Sequence, residues 1–440
     1  MGQQPLDPIK AEPARTPLEP PVRAPRRFWQ VLGPGLITGA SDDDPSGIAT
    51  YSQVGAQYGY GLAWSLPFSY PLLAAIQEIS ARIGRVTGQG IAGNIRQFYP
   101  ASLLRLTVGL LLVANIINIS ADLAAMADAV KLLIGGPSLA YVVAFALTCV
   151  WLEIFLSYAR YVAILKWTTL SLLAYVATVL AVHVPWGQVA FDTLVPTITW
   201  ERGYIVGLVA ILGTSISPYM FFWQSSEEAE DERVNPEAKP LIEAEDGAEG
   251  ELSRIRIDTY VGMGYSHLIA FFILVTTAST LHVHGITDIA TSAEAAQALR
   301  PIAGPFASAV FALGIVGTGM LAIPVLAGSA AYAVGEARQW PTGLGYKPKE
   351  AKAFYGTIAV ATLLGIGINL LPIDPMKGLF WAAVINGVVS VPLMAVMMVM
   401  SVRPAVMGRF TLPRYLRITG WLATAVMAVA VLAMFWTLIF

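Results

Sequence analysis

The stretch SDDDPSGIATY, Ser41 to Tyr51, places three consecutive aspartates and a proline inside a run, 31–58, that otherwise reads as a membrane helix. An ionised carboxylate at bilayer depth costs about 2.5–3.5 kcal/mol on insertion scales, so such residues face a cavity or a partner. Proline removes a backbone donor and clashes with the preceding turn, which predicts a break in the helix at Asp44–Pro45. There the unwound carbonyls have lost their helical partners and are placed to coordinate a cation beside the Asp44 carboxylate. The same carboxylate also suits the N-cap of a second half-helix. Asp42 and Asp43 are read as capping or lining the approach, with Asp43 on the ion pathway.

A second proline-containing interruption, GTSISPYM (Gly213 to Met220), lies at comparable depth in another apolar run. Thr214 and Ser217 flank it three residues apart, and their hydroxyls and the freed carbonyls are hard, neutral oxygen donors. Ser and Thr near a membrane proline also serve simply to satisfy the broken backbone. Two broken spans in corresponding positions predict two five-helix repeats, the second inverted, with a binding site between them at mid-membrane.

Outward from these breaks, the 440-residue chain is 56% hydrophobic and only 13% charged, against roughly a quarter charged in an average soluble domain. About 20 apolar residues cross about 30 Å of hydrocarbon, and eleven such runs occur, near 31–58, 62–82, 104–130, 138–159, 162–183, 204–224, 258–281, 306–334, 354–372, 378–400 and 418–440. With the N-terminus in the cytoplasm, 23 of the 27 Lys and Arg fall on the inner side and only Lys131, Arg202, Arg300 and Lys377 outside. Short cytoplasmic loops retain positive charge, so the asymmetry supports eleven spans with the C-terminus outside. The fold class is an all-α polytopic membrane protein. Residues 1–28, with seven prolines and no apolar core, are expected to form a disordered cytoplasmic tail ahead of a transporter domain over 29–440. That domain divides into one repeat over about 31–183, a second over about 204–400, and an extra peripheral helix at 418–440. The acidic, Pro-containing stretch 225–258 is expected to be a solvated cytoplasmic loop with a short helix at most, its Glu227, Glu228 and Glu230 alternatively drawing cations to an inner vestibule. A single cysteine, Cys149, excludes an internal disulfide and a cysteine metal cluster. The net charge of −2 points to no nucleic-acid partner.

Further intramembrane polar residues refine the site. Asn115, Asn118 and Asp122 share one face of the third span, either carrying ions or holding helices together. Asn386 on the tenth span faces the same choice and is read as a site or gate residue. Glu78 and Arg82, four apart, read as a structural ion pair, and Glu153 is left without a role. None of the four histidines, His183, His267, His282 and His284, lies at a break, so a histidine metal site is not expected. GVVSVP, Gly387 to Pro392, reads as a packing device.

The segment GPGLITGASDDDPSGIATYSQVGAQYGYGLAW, Gly33 to Trp64, resembles the first span of the Nramp divalent-metal transporters, where the break reads Asp-Pro-Gly-Asn. SARIGRVTGQ (Ser80 to Gln89), ADLA (Ala121 to Ala124) and the sixth-span break extend the resemblance. It implies the LeuT-type inverted repeat and import of Mn2+ or Fe2+, usually with protons. By motif, Asp44 takes the place of the metal-binding aspartate and Gly47 that of an asparagine ligand. Thr214 stands for an alanine that donates its carbonyl, Ser217 for a methionine whose thioether helps bind transition metals, and Tyr219 for a histidine linked to proton traffic. Asp122 matches the third-span aspartate, whereas Asn115 and Ala125 stand where glutamates of the proton route are expected. The ninth span, YGTIAVATLLGIGINLLP, has no arginine where the family's proton relay uses basic residues.

Soft sulfur ligands favour later transition metals, whereas carboxylate, carbonyl and water suit Mg2+, Ca2+ and Mn2+. Loss of a thioether and an amide also leaves room for the waters that Mg2+ sheds reluctantly. The pattern is most similar to the Nramp-related magnesium transporter branch. The chain is therefore expected to be a secondary transporter, not an enzyme, taking up largely hydrated Mg2+ and Mn2+ without proton coupling, by alternating access. The candidate metal set is Asp44, Ser41, Gly47, Asp43, Thr214, Ser217 and Asn386. No cofactor is expected, the metal ion being the substrate, and the partners are that ion and the lipid of a bacterial plasma membrane, with the chain functional as a monomer. The alternatives are a proton-coupled Mn2+/Fe2+ transporter of the family and an amino-acid carrier on the same architecture. Three aspartates beside the first break would repel the carboxylate of an amino acid. An intramembrane aspartyl hydrolase using Asp44 and Asp122 is the enzyme alternative.

Overall fold

The computed structural model describes residues 38–39, 41–155, 169–234, 239–244 and 247–440, and no strand occurs among these described residues. The predicted tail over 1–28, the opening turns of the first span and the basic residues Arg160 and Lys166 lie outside them.

Helices occupy the expected spans: α1 (Pro45–Tyr58), α2 (Ser65–Thr87), a short connecting α3 (Ile91–Phe98), α4 (Ala101–Ile134), α5 (Ser138–Phe155), α6 (Leu173–Ala181), α7 (Arg202–Ser215) and α8 (Pro218–Val234). The second half continues with α9 (Ala248–Thr280), α10 (Ala307–Arg338), α11 (Lys352–Ile368), α12 (Pro375–Ser401) and α13 (Arg414–Ile439). Among the described residues, seven segments are long and apolar enough to cross a membrane on length and hydropathy alone, among them Arg202–Arg233, which contains α7 and nearly all of α8. Helix α1, 14 residues from Pro45, is too short for that criterion, and α2 falls short of it because it carries polar residues that face the interior, such as Gln77 and Glu78, both buried.

Both predicted breaks are present. Thr38, Gly39, Ser41 and Asp42 are helical, Asp43 and Asp44 are not, and helix resumes at Pro45. In the second, α7 ends at Ser215, Ile216 and Ser217 are non-helical, and α8 starts at Pro218. Each proline opens the second half-helix. That position tolerates it because the first helical N–H has no intrahelical acceptor and the fixed φ already suits a helix.

These broken segments sit at the centre. Helix α1 packs on α9 and α12, α7 on α12, and α8 on α2 and α10, while α4 runs against α10, α11 and α12. At two crossings only glycine fits. A Cβ on Gly39 would lie 2.3 Å from the Gly262 carbonyl oxygen of α9, and one on Gly213 would lie 2.1 Å from the Ala383 carbonyl oxygen of α12. Helix α13 contacts α2, α7 and α12 along one side and leaves Trp421, Val429, Leu432 and Trp436 exposed, as a peripheral eleventh helix should.

The acidic stretch 225–258 differs from expectation. Helix α8 continues to Val234 and α9 already starts at Ala248, so most of it is helix. The reason is tertiary pairing. Arg254 ion-pairs with Glu228 and, at 3.0 Å, with Glu251, while Arg85 reaches Glu232 at 3.3 Å. Glu230 accepts from the Tyr332 hydroxyl and from the amides of Leu344 (3.1 Å) and Gly345 (2.6 Å). Charges that look solvated in sequence thus tie α2, α8, α9 and α10 together at one end of the bundle.

Candidate cation site

Asp44 is the N-cap of α1. Its Oδ1 accepts from the Gly47 amide and the Ser46 hydroxyl, both at 2.7 Å, and its carbonyl accepts the Ile48 amide at 3.1 Å. The residue is only 2% exposed. Gly47 follows in the first turn, where a Cβ would stand 3.3 Å from Thr214 Oγ1 and 3.4 Å from Asp44 Oδ1. The glycine therefore lets α7 come close to α1, and Asp44, Gly47 and Thr214 converge from the two breaks. Thr214 Oγ1 is buried and has no hydrogen-bond partner. A buried hydroxyl left in that state costs about 1–3 kcal/mol, so it marks a place where a polar ligand belongs.

The second break is largely satisfied from within. Ser217 Oγ donates to the carbonyls of Gly213 (2.7 Å) and Thr214 (2.9 Å), and Ser390 Oγ donates to that of Ile216 (2.5 Å). Ser217 thus restores the backbone bonds that Pro218 removes, while its own oxygen accepts from Asn386 Nδ2 at 3.4 Å. Asn386 Oδ1 in turn accepts from Asn118 Nδ2 at 3.0 Å, which joins α4, α12 and the second break in one polar chain. The two breaks are stitched to each other as well. Tyr219 donates from its hydroxyl to the Ser41 carbonyl at 3.0 Å, and Tyr51 shares a 2.9 Å hydrogen bond with Ser215.

The acidic triplet divides. Asp44 turns toward α1 and Thr214, whereas Asp42 and Asp43 turn toward α9, where the Ser266 hydroxyl contacts Asp42 Oδ2 at 2.5 Å and Asp43 Oδ1 at 3.2 Å. Asp43 is therefore held apart from the Asp44 cluster. Asp42 Oδ1 and Asp43 Oδ2 are buried without partners. Among the described residues there is no cluster of three or more His, Cys, Asp or Glu able to hold a metal ion, so any cation here relies on mixed oxygen donors and water.

The remaining polar residues take distinct positions. Asn115 Nδ2 donates to the Leu326 carbonyl at 2.9 Å and to Ser329 Oγ at 2.7 Å, which fastens α4 to α10. Glu78 and Arg82 form the expected pair at 2.9 Å, joined by Arg256 at 3.5 Å and the Tyr415 hydroxyl at 3.0 Å. Both carboxylate oxygens of Glu153, on α5, are buried without a partner. Ser266 and Ser390 were not legible as site neighbours. Each is a lone serine in an apolar span, and Ser390 lies in the GVVSVP segment that reads as packing alone.

Two interrupted helices crossing at a buried carboxylate, in an all-helical chain with several membrane-length segments, define a polytopic membrane protein of the LeuT-type inverted-repeat fold. The model of the Nramp family, natural resistance-associated macrophage protein-like, matches residues 35–437, and the chain belongs to that family. It is 26% identical over 415 residues to the divalent metal cation transporter MntH of Klebsiella pneumoniae, covering 90% of this chain and 91% of that one. To the MntH of Ralstonia nicotianae it is 28% identical over 308 residues, covering 67% of this chain and 66% of that one. Among solved structures, the Eremococcus coleocola manganese transporter superposes with a TM-score of 0.71 at 16% identity, over 93% of this chain and 88% of that chain. MhsT in complex with L-phenylalanine does so with a TM-score of 0.60 at 12% identity, over 92% and 98%. These likenesses establish the fold.

Proposed function

We propose that this chain is a secondary transporter of divalent metal ions that takes up Mg2+ and Mn2+ largely hydrated, by alternating access and without proton coupling. The relatives named as divalent metal cation transporters supply the class. The observation that carries the finer reading is the donor set around Asp44. The Thr214 hydroxyl stands buried and unpartnered beside Asp44 and Gly47, and Ser217 and Asn386 extend the polar lining as a hydrogen-bonded chain next to it. Hard oxygen donors of this kind suit Mg2+ and Mn2+ and do not select for later transition metals, which favour sulfur. Gly47 brings no side-chain donor of its own and lets the Thr214 hydroxyl approach the carboxylate, so water is left to complete the shell of an ion that dehydrates reluctantly.

In a plasma membrane with the N-terminus inside, an interior-negative potential draws a divalent ion inward with about 4.6 kcal/mol per 100 mV, twice the single-charge value. Reconstituted into vesicles, the protein should carry Mg2+ and Mn2+, and Asp44→Ala should abolish both fluxes. Undiminished Mn2+ flux in Asp44→Ala would remove the reading. Transport inhibited by amino acids and indifferent to divalent cations would replace it with the carrier alternative.

A further inference from the structure

Asp122, on α4, is fully buried, and both of its carboxylate oxygens lack a hydrogen-bond partner. Among the described residues it forms no ion pair with a Lys or Arg. Its place follows from its neighbours on the same helical face, since residues four apart stack one above the other. One turn earlier, Asn118 donates to Asn386, which reaches Ser217 at the second break. One turn later, the Met126 sulfur fills the notch of Gly319. A Cβ on that glycine would lie 2.5 Å from Met126 Sδ and 3.2 Å from Pro45 Cγ, at the first break. Asp122 therefore stands on a face of α4 that meets both breaks, within electrostatic reach of Asp44.

We infer that Asp122 is the second carboxylate of the cation site, acting together with Asp44 and accepting hydrogen bonds from the water shell of the bound divalent ion. The inference rests on the proposed reading of that site as divalent. Its physical basis is charge balance. With Asp42 and Asp43 turned away to Ser266 of α9, Asp44 alone beside a buried divalent ion would leave an uncompensated positive charge, and Asp122 neutralises it. A monovalent ion in the same place would leave a net negative charge, so two carboxylates select for valence in a medium of low dielectric. Contact through water also accommodates the absence, among the described residues, of a three-ligand cluster. It further gives a role to two oxygens that the fold itself leaves unused.

The test compares wild type, Asp44→Ala, Asp122→Asn and Asp122→Glu by isothermal titration with Mn2+ and Mg2+ and by thermal unfolding with and without metal. Asp122→Asn should weaken Mn2+ binding by about 10–100-fold, the usual effect of losing a partner outside the direct ligands. Its metal-free unfolding temperature should be unchanged or higher, because an unpartnered buried carboxylate has been removed. Asp122→Glu should recover part of the affinity. Unchanged Mn2+ affinity in Asp122→Asn, with binding lost in Asp44→Ala, would overturn the inference and leave the divalent reading standing. A lowered metal-free unfolding temperature in Asp122→Asn would likewise overturn it, by assigning the residue to the scaffold. If wild type bound neither metal, the divalent reading itself would fail.

Discussion

At the residue scale, each polar group at the breaks either restores a bond the prolines remove or is left open. Ser217 and Ser390 belong to the first kind, and so does the Tyr219 hydroxyl on the Ser41 carbonyl. Thr214 Oγ1 and the Asp122 carboxylate belong to the second. Asp44 does both, since one of its oxygens caps α1 while the residue also borders Gly47 and Thr214. The distinction predicts opposite outcomes for neighbouring substitutions. Tyr219→Phe removes the hydroxyl and with it the hydrogen bond to the Ser41 carbonyl that ties the two breaks together, so it should lower metal-free stability by about 0.5–1.5 kcal/mol, the net worth of one such bond. A denaturation midpoint measured in detergent checks this, and an unchanged midpoint would show that water replaces the hydroxyl.

At the scale of elements, the extension of α8 and α9 into the acidic stretch is decided by pairing across helices. Glu228 is fully buried and its partner Arg254 comes from α9, so the Glu228 charge is compensated from another helix, while Arg254 also pairs with Glu251 of its own helix. Removing one partner of a buried pair is expected to cost about 3–5 kcal/mol, because the other charge stays buried alone. Arg254→Gln should therefore unfold far more easily than wild type, and the double variant Glu228→Gln with Arg254→Gln should recover much of the loss. Equal stability of the single and double variants, read from thermal unfolding, would contradict the pairing. Sequence composition could not reveal this arrangement, since a run rich in Glu with two prolines has the same composition whether solvated or paired.

At the scale of the whole molecule, the breaks of the first and sixth spans meet because α1 and α7 both pack against α12, so one centre serves both repeats. A transporter of this kind running without proton coupling responds to voltage through the charge of its ion alone. Imposing an interior-negative potential of 100 mV adds about 4.6 kcal/mol of inward drive for a divalent ion. Mn2+ accumulation in vesicles should rise with that potential while the lumen pH stays constant. Acidification in step with Mn2+ entry would establish coupling and contradict the proposal.

The sequence by itself determined the helical class, the spans and both breaks. These follow from local chemistry: apolar run length, and a proline that no helix interior accommodates. It also singled out Asp44, because an aspartate directly before a break is costly unless used. It could not divide the triplet, since consecutive carboxylates differ only in which helix each one meets. That Asp42 and Asp43 go to Ser266, that Asn118 reaches Asn386, and that Thr214 stands open beside Gly47 depend on contacts between residues more than 150 positions apart. Such contacts leave no periodicity in the chain, and only the packing of α1, α4, α7, α9 and α12 around one point decided them.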